Sequence, residues 1–339
     1  MRRMLWLMLL GFLGFLQINC GPKAPSSPLV AGADSSYSFI TNFGQYGSPY
    51  DPSQFYEIGA MAVSGNKIYV SDVDDWDVEI YDLSGNYLTY FWPWSDSSDY
   101  YVDPYGLAVD KYQHLYIANP YGDEIDVLNT AQLPTTVSNY LVTVGQSYGG
   151  QCETDAVAVD QNGLLYVADA DCNEVYTIAQ FGSNPGGGLY TYDGSVSING
   201  GSLNIGGASG PYGIAVTPDG SKVFVSDKGN NVVQVYDSGL TWIGVIGDAT
   251  GGASTATGKF EAPAGLAIDN DGNLLVADED NARIQKFTPS GTYLSSFGNT
   301  ASNFSAGQLY SPGQIAVNGN DVYVTDTNYD TVFKYTASK

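Results

Sequence analysis

The sequence predicts an all-β protein, a six-bladed β-propeller whose blades are four-stranded antiparallel sheets. Three observations support this prediction. An Ala-Val or Ala-Ile pair recurs six times along the 339 residues, at spacings of 46, 50, 57, 52 and 49. Each pair is followed by a second apolar segment that ends in Asp or Asn, and helical periodicity is missing after the first twenty residues. Units of this length, with four short strands each, are typical of propeller blades.

Each unit begins with the strand that carries the repeated alanine. We expect this strand to lie innermost, because blades converge at the axis and leave room there only for small side chains. The six alanines are Ala62, Ala108, Ala158, Ala215, Ala267 and Ala316. Turns such as 160–163 and 269–272 contain Asn and Gly, which favour hairpins to the second strand. A third alternating segment follows, and in most units a fourth.

The two ends of the repeat region complete one another. The last unit stops at Lys339 after its third strand, whereas residues 37–44 form an orphan strand that matches 293–298 of unit five. The N-terminal strand is therefore predicted to complete the last blade and close the ring. Closure removes the exposed strand edges that otherwise promote aggregation.

The N-terminus carries a targeting signal. Arg2 and Arg3 precede an apolar run at 4–16, which is shorter than the roughly 20 residues that span a bilayer. The segment that ends in Cys20 resembles a bacterial lipoprotein signal, in which the cysteine becomes the lipidated N-terminus. Cleavage near Ala31 or Ala33, which would leave a free secreted protein, is the alternative.

Three regions follow from this assignment. Residues 1–20 are a lipoprotein-type signal peptide, 21–36 a flexible tether rich in Pro, Ser, Gly and Ala, and 37–339 the propeller. We expect an extracytoplasmic protein, periplasmic or at the cell surface, that meets the membrane only through its N-terminal lipid. We also expect a monomer.

The charge of the chain excludes several classes of function. Acidic residues number 36 against 12 basic ones, a net charge of −24, so the surface repels nucleic acid. The one histidine, His114, excludes zinc sites that need several histidines and disfavours His-based acid–base catalysis. We expect His114 to lie on the surface, on the rim formed by the Asp-Gly turns.

Unit five carries the most complete form of the repeat. Its residues are Pro263, Gly265–Asp269, Gly272, Leu275–Asp278, Asn281, Arg283–Phe287, Gly291 and Phe297-Gly298. This pattern resembles the NHL-repeat family, and the resemblance extends from Tyr37 to the C-terminus. It implies the six-bladed fold and a binding or scaffold role, which many members of that family have. It does not specify a ligand.

The residue that ends each second strand forms a ring on one face. Its members are Asp72, Asn119, Asp169, Asp227, Asp278 and Asp326. Six-fold repetition favours a structural role, in which each side chain accepts backbone N–H bonds in a tight turn. Cation binding by the ring is the alternative.

Two cysteines remain after Cys20. Cys152 precedes the first strand of unit three and Cys172 follows its second strand, so both map to one face of one blade. In an oxidising compartment they are predicted to form a disulfide. Two free thiols are the alternative.

Aromatic residues collect in the loops on the face that carries the ring of acids. They are Tyr56, Trp76, Trp92, Trp94, Tyr105, Tyr121, Tyr212 and Tyr329. Aromatic rings pack on flat apolar ligand faces and nearby carboxylates accept hydroxyl hydrogen bonds. The sequence therefore predicts a non-enzymatic module that binds a protein, peptide or carbohydrate. The alternative is that these rings only seal the blade junctions.

Two other function classes stay open. A gluconolactonase-like hydrolase or lyase would hold calcium at the channel mouth, with Glu57, Asp103 and Asp155 as the candidate ligands; the acidic run at 72–77 is a further calcium candidate. No other cofactor is expected. The high Tyr, Gly, Asn and Ser content also fits a structural protein of an envelope or biofilm matrix.

Overall fold

The computed structural model describes most of the region after residue 36. The described residues are 37–47, 53–93, 103–120, 124–133, 140–145, 154–170, 173–179, 191–197, 211–298 and 307–338. Within them the secondary structure is almost entirely β, with two three-residue 3-10 helices at Thr130–Gln132 and Glu279–Asn281.

The strands form six separate four-stranded antiparallel sheets, which confirms the predicted six-bladed propeller. Blade 1 contains β2 (Ile58–Ser64), β3 (Lys67–Asp72), β4 (Asp77–Asp82) and β5 (Tyr87–Phe91). Blade 2 contains β6 (Gly106–Val109), β7 (His114–Asn119), β8 (Glu124–Asn129) and β9 (Tyr140–Gly145). Blade 3 contains β10 (Thr154–Val159), β11 (Leu165–Asp169), β12 (Glu174–Ala179) and β13 (Thr191–Ser197).

The second half of the ring repeats this arrangement. Blade 4 contains β14 (Pro211–Val216), β15 (Lys222–Asp227), β16 (Val232–Asp237) and β17 (Trp242–Gly247). Blade 5 contains β18 (Pro263–Ile268), β19 (Leu274–Asp278), β20 (Arg283–Phe287) and β21 (Tyr293–Phe297). Blade 6 contains β22 (Pro312–Asn318), β23 (Asp321–Asp326), β24 (Thr331–Ala337) and β1 (Tyr37–Phe43).

The first strand of the propeller closes the ring, as predicted. Strand β1 pairs antiparallel with β24, and Phe39 lies opposite Tyr335. The Tyr37 ring stacks on Phe297 of blade 5 with their centroids 4.2 Å apart. The closing strand thus bonds to its own blade through the backbone and packs on the neighbouring blade through an aromatic contact.

The hydrophobic core is divided into six clusters, each between two neighbouring blades. The large residue near the middle of each second strand is fully buried in one of them, facing the next blade around the ring. These residues are Tyr69, Tyr116, Tyr166, Phe224, Leu275 and Tyr323. Because no blade can bury its faces alone, the blades depend on one another for stability.

In blades 2, 3 and 5 an aspartate fixes the turn between the first and second strands. Asp160 accepts hydrogen bonds from the backbone N–H groups of Asn162 and Leu164 at 2.8 and 2.9 Å. Asp269 holds the equivalent turn of blade 5 in the same way. Side-chain bonds of this kind replace the missing strand pairing at the turn and set the hairpin register.

One sequence-based expectation needs correction. His114 is not a surface residue: it is 3% exposed, and its Nδ1 lies 2.7 Å from Asp110 Oδ2. Asp110, in the turn of blade 2, therefore hydrogen-bonds the imidazole of His114 as well as the backbone.

In the part of the chain that the structure describes, no helix is both long and apolar enough to span a bilayer.

Neighbouring inner strands approach closely at the propeller axis. A Cβ atom on Gly265 would lie 2.4 Å from the carbonyl oxygen of Gly313, and one on Gly213 would lie 2.7 Å from that of Ala264. These contacts involve backbone atoms, which cannot move without displacing a blade. Positions 213 and 265 therefore require glycine for reasons of space.

The substitution Gly265→Ala is expected to lower the free energy of unfolding by about 1–3 kcal/mol, the usual cost of overpacking. Urea denaturation measures the effect. The matched control is Gly252→Ala in an exposed loop, where the nearest atom lies 3.8 Å from the added Cβ. Equal stability of the two variants would contradict the tight axial packing.

Candidate functional site

One face of the propeller carries both the start of the inner strands and the end of the second strands. Ile58 pairs with Asp72, Pro263 with Asp278 and Pro312 with Asp326. The loops that enter each blade therefore meet the loops that follow the ring of acids. We call this side the top face, and the side with the Asp-Gly turns the bottom face.

In blades 1, 5 and 6 the acid of the ring fastens the loop that enters the blade. Asp72 accepts hydrogen bonds from the N–H groups of Tyr56 and Glu57 at 2.6 and 3.0 Å. Asp326 accepts from Tyr310 at 2.6 Å, and Asp278 from Glu261 at 2.8 Å. These side chains position the first residues of the inner strands, including Glu57, and their oxygens are engaged with the backbone.

In blade 5 the ring acid has a cationic partner. The Arg283 Nε donates to Asp278 Oδ2 at 2.7 Å, and Gln285 Nε2 donates to the same oxygen at 2.9 Å. All three side chains are buried. Burial raises the pKa of Asp278 to about 6, although the guanidinium acts to lower it.

Blade 1 has acids where blade 5 has Arg283 and Gln285. The register that pairs Asp278 with Arg283 pairs Asp72 with Asp77, and Glu79 takes the place of Gln285. Burial, with smaller contributions from neighbouring acids, raises the pKa of Asp77 to about 8 and that of Glu79 to about 9. Asp77 Oδ1 is buried without a hydrogen-bond partner among the described residues, while Glu79 accepts from the Tyr81 hydroxyl.

A cavity of about 330 Å³ lies at the axis on the top face, and we call it the axial cavity. Five of the six blades contribute to its wall. The lining residues are Glu57, Ile58, Gly59, Val73, Tyr105, Asp155, Tyr212, Gln314, Thr327 and Asp330. The cavity thus combines two tyrosines with three carboxylates.

The carboxylates act on the tyrosines and on one another. Desolvation, followed by the charges of Glu279, Asp155 and Glu57, raises the pKa of Tyr212 to about 12. Burial raises the pKa of Asp330 to about 6, with the charges of Asp72 and Glu57 adding to the shift. Burial and neighbouring acids raise the pKa of Glu57 as well. The electrostatics therefore show a site with excess negative charge.

A hydrogen-bonded band borders the cavity on blades 4 to 6. Lys228 Nζ lies 2.6 Å from Glu279 Oε2, and the Ser311 hydroxyl donates to Glu279 Oε1 at 3.0 Å. Thr327 Oγ1 in turn donates to Ser311 Oγ at 3.0 Å. The Lys228 ammonium lies 4.5 Å from the centroid of the Tyr212 ring. This band holds one wall of the cavity in place.

Of the predicted aromatic residues that the structure describes, Tyr105 and Tyr212 line the axial cavity; they are 41% and 38% exposed. Tyr56 is exposed and stacks on Tyr46 with their centroids 5.8 Å apart. Tyr329 packs against Tyr310.

The two predicted tryptophans that the structure describes lie elsewhere. Trp76 is in the loop after β3, and Trp92 follows β5, the outermost strand of blade 1. The predicted aromatic residues therefore occupy several places on the top face.

Of the candidate calcium ligands, Glu57 and Asp155 line the cavity, and Asp103 is near enough for its charge to raise the pKa of Glu57. Asp155 Oδ2 accepts a hydrogen bond from the Ala170 N–H at 2.8 Å. Among the residues with described coordinates, no three His, Cys, Asp or Glu side chains form a cluster that could hold a metal ion. This statement includes the acidic run at 72–77.

Five of the predicted residues lie outside the described residues. They are Cys20, Trp94, Tyr121, Cys152 and Cys172. The lipidation site and the disulfide therefore stay predictions.

Sequence reasoning missed Asp330, Gln314 and Thr327, which also line the cavity. A signal was present in the repeats. Gln314 stands two residues before the repeated alanine, where the other five units have Ala or Gly. Asp330 occupies a position with positive φ that recurs in five blades, and its Oδ1 accepts from the Ile58 N–H of the next blade at 3.4 Å. Departures from the repeat thus mark the site better than its repeated residues do.

Comparison with known proteins supports the fold and leaves the activity open. A family model described as the SMP-30/Gluconolactonase/LRE-like region matches residues 140–306, just under half of the chain. A stretch of 138 residues is 30% identical to peptidylglycine alpha-amidating monooxygenase of Rattus norvegicus, covering 39% of this chain and 13% of that protein. A stretch of 61 residues is 39% identical to the E3 ubiquitin-protein ligase TRIM71 of Gallus gallus, covering 17% of this chain and 7% of that protein.

Solved structures resemble the chain over most of its length. Virginiamycin B lyase from Staphylococcus aureus superposes with a TM-score of 0.56 at 13% identity, covering 89% of this chain and all of that one. A protein of unknown function from Bacteroides thetaiotaomicron gives 0.65 at 18% identity, covering 89% and 76%. A luciferin-regenerating enzyme gives 0.56 at 16%, covering 84% and 92%. At these identities the likeness shows the fold alone.

Proposed function

We propose that this protein is an extracytoplasmic, non-enzymatic binding module built from NHL-type repeats, and that its ligand enters the axial cavity. The ligand is a peptide, a carbohydrate or an exposed group of a protein. An N-terminal lipid on Cys20 would hold the propeller at the membrane surface. The bottom face and the blade edges serve as scaffold.

The observation that carries this proposal is the composition of the axial cavity. Tyr105 and Tyr212 come from different blades and are the two tyrosines among the described lining residues. Both keep a substantial exposed surface, whereas the repeated tyrosines of the second strands are fully buried. Exposed rings beside carboxylates provide packing area and hydrogen-bond acceptors for a ligand, which a purely structural residue does not need.

Glycan and peptide arrays probed with the purified protein test this proposal. The double variant Tyr105→Ala/Tyr212→Ala is expected to lose at least about tenfold in binding signal, as truncated aromatic anchors often do. Two single variants serve as controls. Tyr112→Ala removes an exposed tyrosine at the bottom face, and Trp92→Ala removes an exposed tryptophan at the outer edge of blade 1. An unchanged signal from the double variant would remove the axial cavity from the proposal.

A calcium-dependent hydrolase or lyase is the second candidate. Two observations favour it: the partial match to the SMP-30/Gluconolactonase/LRE-like family model, and the presence of Glu57 and Asp155 in the cavity. Carboxylate oxygens are suitable calcium ligands.

Calorimetric titration with Ca²⁺ tests this alternative. Binding heat that disappears in Glu57→Gln, together with a rise in melting temperature, would support it. No heat and no shift in melting temperature would eliminate it.

A further inference from the structure

The class of ligand is indicated by the charge of the axial cavity, an inference that rests on the proposed function. The lining contains Glu57, Asp155 and Asp330, and none of the described lining residues is Lys, Arg or His. Both tyrosines of the lining present exposed ring surface. A neutral ligand would bring no positive charge to these three acids. That is unfavourable because confinement weakens the solvation of their negative charges.

One of these rings already contacts an ammonium group. The Lys228 Nζ lies 4.5 Å from the Tyr212 ring centroid, within the range of cation–π attraction, and is held there by Glu279. Tyr212 thus contacts an ammonium group on the rim, and the charges of Asp155 and Glu57 act on the same tyrosine. The chain itself shows that this ring and its acidic surroundings accept an alkylammonium ion.

Two of the three carboxylates accept hydrogen bonds from backbone N–H groups, and the third belongs to a residue whose backbone is held in place. Asp155 Oδ2 accepts from the Ala170 N–H, and Asp330 Oδ1 lies 3.4 Å from the Ile58 nitrogen. Asp72 fixes the backbone of Glu57 through its N–H. An entering cation therefore meets a preorganised negative site and does not have to gather mobile side chains.

We propose that the axial cavity binds a small organic cation, whose ammonium group packs against Tyr105 and Tyr212 and is neutralised by Glu57, Asp155 and Asp330. Weak hydration allows an organic ammonium ion to exchange water for ring faces. A calcium ion instead requires six to eight oxygen ligands, and the described residues form no cluster that could hold a metal. The cavity volume of about 330 Å³ sets the size limit for the bound group.

Isothermal titration of the purified protein with choline chloride tests the inference, with 3,3-dimethylbutan-1-ol as the neutral probe of the same shape. Choline is expected to bind at least about tenfold more tightly than the alcohol, the range expected for a partly desolvated cation–π contact with added charge. Its affinity should fall as ionic strength rises, because the attraction is electrostatic.

Three variants assign the effect to the cavity. Tyr212→Ala and Glu57→Gln are each expected to weaken choline binding several-fold, and Glu57→Gln changes charge with little change in shape. Lys228→Met is expected to strengthen it, because the competing ammonium is removed and Glu279 is released. Tyr112→Ala is the matched control, since Lys111 Nζ lies 4.9 Å from that ring centroid on the bottom face.

The outcomes separate this inference from the proposed function. Equal binding of choline and the neutral alcohol, or binding unaffected by Glu57→Gln and Tyr212→Ala, would overturn the cation proposal. If choline does not bind while an array ligand still depends on Tyr105 and Tyr212, the cation proposal fails and the binding module stands. If neither choline nor any array ligand depends on the cavity, both fail.

Discussion

The protein is expected to become more stable as the pH falls from 9 to 5. Asp77 and Glu79 are buried in blade 1, and their pKa values rise to about 8 and about 9 in the folded state. In the unfolded chain these groups titrate near pH 4, as free Asp and Glu do. The folded state therefore holds protons that the unfolded state releases throughout this range.

Linkage gives the direction and size of this effect. Each carboxyl that stays protonated only in the folded state contributes about 1.4 kcal/mol of stability for every unit that the pH falls. Its contribution is full below about pH 4 and is lost as the pH rises through the folded pKa. Asp75 and Asp330, whose pKa values rise to about 6, act in the same direction over a narrower range.

Urea denaturation at unit intervals between pH 5 and pH 9 measures the slope. The variant Asp77→Asn/Glu79→Gln is expected to flatten the slope and to be more stable than the parent at pH 9, because amides do not titrate. Gln at position 79 also gives blade 1 the residue type that blades 4 and 5 have at the equivalent position, Gln234 and Gln285. A stability that rises with pH in this range, or equal slopes for the parent and the variant, would contradict the account.

Arg283→Ala is expected to lower the free energy of unfolding at pH 7 by about 3–5 kcal/mol, the usual cost of breaking a buried ion pair. The side chains of Arg283 and Asp278 are 4% and 0% exposed. The guanidinium also donates to the carbonyl oxygens of Ala256 and Lys259 at 3.0 and 3.1 Å. Removing it leaves a buried carboxylate and two carbonyl groups without this donor.

The loss should shrink at pH 5, because Asp278 then takes up a proton and no longer carries an uncompensated charge. Lys259→Ala is the matched control: its ion pair with Asp248 lies nearby, but the lysine side chain is 43% exposed. Exposed pairs contribute at most about 1 kcal/mol. A loss of unfolding free energy below that value in Arg283→Ala, or a loss independent of pH, would show that the buried ion pair does not stabilise the fold as expected.

The repeats predicted the fold because every blade of a propeller needs the same kinds of residue at the same positions. The alanine strand, the large residue of the second strand and the closing strand at 37–43 each meet a need that recurs around the ring. The ring of acids belongs to the same class, since Asp72, Asp278 and Asp326 all fasten the loop that enters their blade. Periodicity alone identifies such residues.

The axial cavity could be predicted only in part, because a site is formed where the blades differ. Tyr105 and Tyr212 were found by their residue type and their place before an inner strand. Gln314 and Asp330 come from blade 6, and what they add depends on which residues face them across the axis. His114 shows the same limit at the bottom face, since its burial depends on how the turn at Asp110 folds.

The central claim is that ligands bind in the axial cavity. Hydroxyl-radical footprinting of the purified protein, with and without the strongest array ligand, tests it directly through the reactivity of individual tyrosines. Tyr105 and Tyr212 should lose reactivity on binding, while Tyr112, which is 43% exposed at the bottom face, should keep it. Undiminished reactivity of both cavity tyrosines in the saturated complex would contradict the claim.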